Sequence, residues 1–280
     1  MLKMRVLTAL VLLAVLLPVL FLNNFPAFAI VSIIFFAAAA WESLRLCGTS
    51  HPVVVALCWT VVFGFFLASE KASQAPLLFA SCVAIWLAVF IPLLAKGLPA
   101  LQSIQSRFLT GFYSIAVLGC FVAIIAAFQR SPLFLLSIMA IVWVADIGAY
   151  FSGKNFGKNK LAPSISPGKT WEGAIGGWIA VIVVALASTF FPALHDTFIA
   201  RLLSHWGYAG FLACMTFLVM LSVIGDLFES QLKRRAGMKD SSNLLPGHGG
   251  VLDRIDALIP VLPGEIDGAS LFLPKFLPEK

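Results

Sequence analysis

"VMLSVIGDLFESQLKRR", residues 219–235, opens as a run fit for lipid, sets Asp226 inside that run, and closes on Lys233, Arg234 and Arg235. An acid is costly within a membrane and is placed there for a function or a partner. A helix through this stretch puts Asp226, Ser230, Lys233 and Arg234 at i, i+4, i+7 and i+8, on one stripe. The stretch therefore reads as the end of a spanning helix that delivers an acid, a hydroxyl and cations to a membrane surface.

The rest of the chain agrees with a lipid solvent. Its 280 residues are 60% hydrophobic and 11% charged, with a mean hydropathy of +0.99. A soluble domain is roughly 45–50% apolar and about 25% charged. The fold class expected is all-α, a polytopic helical bundle in the membrane. Spans of about 17–25 residues each fall near 5–23, 25–41, 51–69, 75–95, 108–128, 133–153, 173–194 and 206–229. That is eight, with a ninth possible in residues 257–280, where Pro260, Pro263, Glu265, Asp267 and Pro274 interrupt the apolar pattern. The start of the chain, with Lys3, Arg5 and "PAFA" at 26–29, also has the outline of a cleaved signal peptide. The length of the run from Val6 to Leu22 and the spans directly after it favour a first membrane helix.

Two regions are expected: 1–130, a set of N-terminal transmembrane helices, and 131–280, a C-terminal catalytic transmembrane region with cytoplasmic loops at 154–172 and 235–252. Positive residues collect on one side. With the N-terminus inside, the cytoplasmic set is Lys3, Arg5, Arg45, Lys96, Arg107, Lys154, Lys158, Lys160, Lys169, Lys233, Arg234, Arg235, Lys239 and Arg254. Lys71, Arg130 and Arg201 face the other way. The bias predicts a multi-pass protein of the plasma (inner) membrane with its N-terminus and both long loops in the cytoplasm. The net charge of +6 then belongs to orientation and to anionic lipid or nucleotide phosphates, and no nucleic acid partner is expected. Five scattered cysteines, with no CxxC pair, give neither a disulfide framework nor a thiolate metal site.

Chemistry has room only at the cytoplasmic loops and the span ends beside them. Asp146 in "IVWVADIGAYFSGK" reaches the same depth as Asp226, with Tyr150 and Gly153 on its stripe. The segment "VLDRID" adds Asp253 and Asp256 at i and i+3. Paired carboxylates beside cations and a glycine-rich approach, "GHGG", are what a divalent metal holding a polyphosphate needs: hard oxygen ligands for Mg²⁺ and Lys or Arg for the remaining charge. The sequence "SPGKT" is not a P-loop, because Pro163 stands where the pattern requires Gly and no strand is expected before it. Ser166, Gly168, Lys169 and Thr170 instead lead into the seventh span, whose first amides could hold a phosphate. Glu172 there suits either a catalytic part or the helix dipole.

The stretch from Ser230 to Asp256 resembles the signature of the phosphatidate cytidylyltransferase (CDP-diacylglycerol synthase) family. The matching residues are Ser230, Lys233-Arg234, Lys239-Asp240, Pro246, His248-Gly249-Gly250, Asp253-Arg254 and Asp256. "DIGAYFSGK" and "SPGKTWEG" extend the likeness upstream, so it covers about residues 140–256. The resemblance implies a Mg²⁺-dependent nucleotidyltransferase of phospholipid biosynthesis, which joins CTP to phosphatidic acid to give CDP-diacylglycerol and pyrophosphate. It implies Asp226 and Asp253 as Mg²⁺ ligands, a second monovalent cation such as K⁺, and a homodimer. Asp226, Asp253, Lys233 and Arg234 then stand as catalytic residues. Ser230, Lys239, Asp240, His248, Gly249, Gly250, Arg254, Lys169, Ser166 and Tyr150 stand as substrate-binding residues, and Asp256 and Asp146 as further metal ligands. The rival readings are an ion-coupled secondary transporter using Asp146 and Asp226, and an enzyme acting on another lipid-linked phosphate such as a polyprenyl acceptor.

Overall fold

A computed structural model describes residues 2–22, 24–68 and 75–264. The first ten α-helices in chain order are α1 (Leu2–Phe21), α2 (Phe25–Leu46), α3 (Pro52–Ala68), α4 (Pro76–Ile85), α5 (Ile91–Lys96), α6 (Ile104–Arg130), α7 (Pro132–Phe156), α8 (Trp171–Ser188), α9 (Phe198–Arg235) and α10 (Leu252–Ile255). A π turn over Trp86–Phe90 joins α4 to α5 just before Pro92, which has no N–H to give the ladder. Among the described residues, six helical stretches are long and apolar enough to cross a membrane: α2, the run Pro76–Lys96, α6, α7, α8 and α9. The chain is thus a polytopic helical membrane protein.

Short polar residues between apolar runs start the helices. The side chains of Asn24, Ser103, Ser131, Thr170 and Thr197 accept from the N–H groups of Ala27, Ser106, Phe134, Gly173 and Ala200 at 3.0–3.3 Å. Each satisfies a donor that a helix start leaves open. Gly207, at φ 63°, breaks α9 and separates its first residues from the long run that carries Asp226.

One departure from an all-helical chain lies where sequence reading placed a plain loop at 154–172. Helix α7 continues to Phe156, and β1 (Lys160–Ala162) then pairs antiparallel with β2 (Ser166–Thr170). "SPGKT" is itself strand β2, and β1 stands before it, so the expectation that no strand precedes it is corrected. The pattern still lacks its first glycine, and Thr170 is spent as the N-cap of α8.

Lipid offers no hydrophobic drive for helix association, so small residues that permit close packing decide which helices pair. Helices α7 and α8 meet backbone to backbone. A Cβ on Gly148 would lie 2.7 Å from the Ala180 Cβ and 3.0 Å from the Gly177 Cα, and one on Gly177 would lie 2.5 Å from the Ala145 carbonyl oxygen. An aromatic cluster ties the π turn, α6 and α9 together: Trp86, Phe90, Tyr113 and Phe228 have ring centroids 4.6–5.9 Å apart.

The segments that follow α2, α5, α7 and α9 gather at one end of the bundle. Arg45 donates to the Ser241 carbonyl, Arg235 to the Pro99 carbonyl at 3.2 Å, and Arg234 to the Ile165 carbonyl at 3.4 Å. This basic end is where every candidate residue lies. Residues 257–262 do not leave the bundle there: Leu258, Ile259, Val261 and Leu262 are buried, and after a turn at 256–257 helix resumes through 258–264. The bulk of the possible ninth span, from 265 onward, lies outside the described residues.

Candidate active site

A cavity of about 490 Å³ opens between α7, α8, α9 and the hairpin. Asp146 and Tyr150 of α7, Ser166, Gly168 and Lys169 of β2, and Asp226 of α9 line it together. The close approach of α7 and α8 holds two of its walls. Asp226 forms an ion pair with Lys169 and accepts a hydrogen bond from the Ser230 hydroxyl at 3.3 Å. The hairpin thus carries an ammonium onto the acid of α9.

A second centre lies along α9 and the stretch after it. Lys233 donates to Asp253 Oδ1 at 2.7 Å and also pairs with Glu229, whose side chain is fully buried. Asp253 Oδ2 accepts from the Ser241 N–H at 2.9 Å, the Ser241 hydroxyl at 2.8 Å and the Gly250 N–H at 2.7 Å. Burial pushes the Asp253 carboxyl up, but Lys233, the Gly250 N–H and the Ser241 hydroxyl outweigh it and hold the group at about 2. Asp256 goes the other way. Burial, and after it the charge of Asp226, push its carboxyl up to about 8.

The glycines of "GHGG" have a use inside the loop. Gly249, at φ +83°, leaves room for Asp253, since a Cβ there would sit 2.6 Å from Oδ2. A side chain on Gly250 would run into Ser241 and Glu42. A short bridge, Leu245 N–H to the Gly249 carbonyl at 2.8 Å, closes the turn that presents His248. Arg234, Lys239, Asp240 and Arg254 are exposed around the rim.

These placements sort the residues read from sequence. Asp146, Tyr150, Ser166, Lys169 and Asp226 share one cavity, and Ser230 touches it through Asp226. Lys233 and Arg234 follow one another on α9 but take different partners: Lys233 pairs with Glu229 and Asp253, while the exposed Arg234 donates to the Ile165 carbonyl. Two acids escaped the sequence reading. Glu229 and Glu42 are both fully buried, and an ionisable residue within a span was the available signal for each.

The profile of the cytidylyltransferase family matches residues 3–265. The chain belongs to that family. Among curated relatives, phosphatidate cytidylyltransferase of Haemophilus influenzae is 36% identical over 94% of this chain and 96% of its own length. The enzyme of the same name from Pseudomonas aeruginosa is 37% identical over 94% and 95%, and that from Bacillus subtilis 32% identical over 93% and 95%. Membership thus rests on almost the whole chain rather than on the signature alone.

The carboxylates at this end of the bundle are hard oxygen donors of the kind that suit a divalent cation such as magnesium. Among the described residues no three His, Cys, Asp or Glu side chains are gathered as a ready metal cluster. Magnesium does not require that, since it is commonly held by one or two carboxylates together with water and substrate phosphates. Asp226 and Asp146 line one cavity, and within it Asp226 is paired with the Lys169 ammonium.

Proposed function

We propose that this chain transfers the cytidylyl group of CTP to phosphatidic acid, giving CDP-diacylglycerol and pyrophosphate. Near full-length similarity to relatives named phosphatidate cytidylyltransferase supports the reading. The observation that carries its chemistry is the cavity in which Asp146 and Asp226 meet Lys169 at the basic end of the bundle.

A phosphatidate oxygen attacks the α-phosphorus of CTP in line, the new P–O bond forms, and the bond to the bridging oxygen of the β-phosphate breaks with pyrophosphate leaving. The attacking group needs no strong base, because a phosphate monoester with its second pKa near about 6 is already largely a dianion. The main barrier is repulsion between two polyanions, so neutralising charge is the central task. Exposed Arg234, Lys239 and Arg254 gather the triphosphate at the rim, with His248, Asp240, Gly249 and Gly250 shaping the loop around it. Lys169 moves from Asp226 to a phosphate oxygen, Ser166 and Tyr150 offer hydroxyl donors within the cavity, and Ser230 holds Asp226 from its edge. Lys233 holds Asp253 and Glu229 and adds its charge from behind them.

Magnesium, when bound, supplies charge neutralisation across the phosphate oxygens. Asp226 would hold it, with Asp253, Asp256 and Asp146 as the further carboxylates of the set, and a monovalent cation such as K⁺ belongs to the same reading. We also propose eight spans, which add α1 and the seventeen-residue α3 to the six longer stretches, and a homodimer. The plasma (inner) membrane, a cytoplasmic N-terminus and the division into 1–130 and 131–280 complete the reading; the contacts of Glu42 with residues 241–252 support a first region that braces the second. Purified protein offered radiolabelled CTP with phosphatidate, against CTP with undecaprenyl or dolichyl phosphate, tests the acceptor. Label passing only to phosphatidate supports the proposal, and label passing to the polyprenyl acceptor instead refutes it.

A further inference from the structure

Glu42 lies on α2, about 200 residues before the signature loop, and its side chain is fully buried. It meets only donors. Oε1 accepts from the Ser242 hydroxyl and from the Val251 N–H at 3.2 Å, and Oε2 accepts from the Leu252 N–H at 2.7 Å and lies 3.3 Å from the Ser241 hydroxyl, whose one proton is shared between Glu42 and the nearer Asp253 Oδ2 at 2.8 Å. The Ser242 hydroxyl in turn accepts from the Leu244 N–H at 3.1 Å, which leaves its own proton for Glu42. One carboxylate thereby fixes both ends of the loop, residues 241–242 and 251–252.

We infer that Glu42 is a positioning residue for the transfer reaction, acting through Ser241 and the Leu252 N–H to set where Asp253, and with it Lys233, is held. Ser241 is the joint. Its hydroxyl lies between Glu42 and Asp253, its N–H donates to Asp253, and Arg45, one turn beyond Glu42, holds its carbonyl. The packing leaves no slack, since a Cβ on Gly250 would collide with both Ser241 and Glu42. The inference deepens the proposed cytidylyl transfer and rests on it.

The chemistry of the pocket makes Glu42→Gln informative. Each oxygen faces one backbone N–H, so whichever way the amide turns, its NH₂ meets a donor that cannot rotate away. Ser137→Ala is the control for lost stability. It removes a buried acceptor of the Phe198 N–H, 3.0 Å away at the opposite end of the bundle.

The experiment measures kcat and KM for CTP and for phosphatidate on purified, folded full-length protein, with the folded fraction checked at the assay temperature. Glu42→Gln is expected to lower kcat/KM by about tenfold or more, whereas Ser137→Ala loses melting temperature with its kinetics unchanged. Glu42→Gln combined with Ser241→Ala should fall short of the product of the two single effects, because part of what each breaks is the shared Glu42–Ser241–Asp253 linkage. Trypsin cleavage after the exposed Lys239 should quicken in Glu42→Gln and not in Ser137→Ala. Wild-type kinetics in folded Glu42→Gln, or single effects that multiply in the double variant, would overturn the inference. Inactive wild-type protein would instead bring down the proposed function, and unchanged cleavage in Glu42→Gln would then overturn the anchoring as well.

Discussion

Lys233 and Asp253, twenty residues apart in sequence, are joined at 2.7 Å across the gap between α9 and α10, and the same ammonium also pairs with Glu229. The cation is shared by two buried acids. Removing it leaves both without their partner, and breaking a buried pair from one side typically costs about 3–5 kcal/mol. Lys233→Ala should therefore lower the melting temperature of the purified protein as well as its turnover. A wild-type melting curve would contradict that placement.

Asp226→Asn removes a charge from the cavity with almost no change in shape. CTP-dependent turnover should vanish while expression, detergent behaviour and helical content stay as in the wild type. The same holds for turnover in Asp253→Asn, but there the amide also meets Lys233 and backbone donors, so a measurable loss of thermal stability should accompany it. Equal stability of the two variants would count against the difference in their surroundings.

Gly225 stands beside Asp226 where residues 256–260 cross α9. A Cβ there would lie 2.5 Å from the Asp256 carbonyl oxygen and 2.8 Å from the Pro260 ring. Gly225→Ala should push the crossing segment away and cut kcat/KM by about tenfold or more, the size of effect expected when a site shifts by about an ångström. Steady-state kinetics on the folded variant check it.

Gly177→Val places a branched side chain against the backbone of α7 at Ala145, next to Asp146. Overpacking typically costs about 1–3 kcal/mol, so a lower melting temperature and weakened turnover are expected together. Gly168, where a Cβ would meet nothing within 4 Å, should accept Ala with stability unchanged. Thermal melts of the two variants side by side decide it.

Sidedness is open to labelling. A cysteine at Asn159 in the hairpin should react with an impermeant thiol reagent only when the cytoplasmic face is exposed, and one at Phe190, after α8, only from the outside. Reversal of the two would overturn the orientation.

Much of the fold was legible because lipid imposes simple rules. Apolar runs of spanning length placed the helices, although α8 ends six residues earlier and α9 starts eight residues earlier than the runs 173–194 and 206–229 imply. Asp146 and Asp226 were legible for the same reason, since an acid in such a run has few explanations. The partners were not. Glu42 meets residues 241–252 across nearly the whole chain, and no local spacing records such a pairing. The partners of Lys233 were hidden because helical periodicity assigns the Cα to a face, while a long side chain chooses its own partner. The hairpin at 160–170 was hidden by its brevity: strands of three and five residues leave no alternation to detect.

The central claim is that acids from separate helices bring a nucleoside triphosphate to a lipid phosphate at the basic end of the bundle. CTP labelled at the α-phosphate, incubated with phosphatidate vesicles and purified protein, tests it most directly. The account predicts label in the chloroform-soluble lipid for the wild type and none for Asp226→Asn, with γ-label recovered as pyrophosphate. Lipid carrying the γ-label, or α-label transferred equally well by Asp226→Asn, would contradict it.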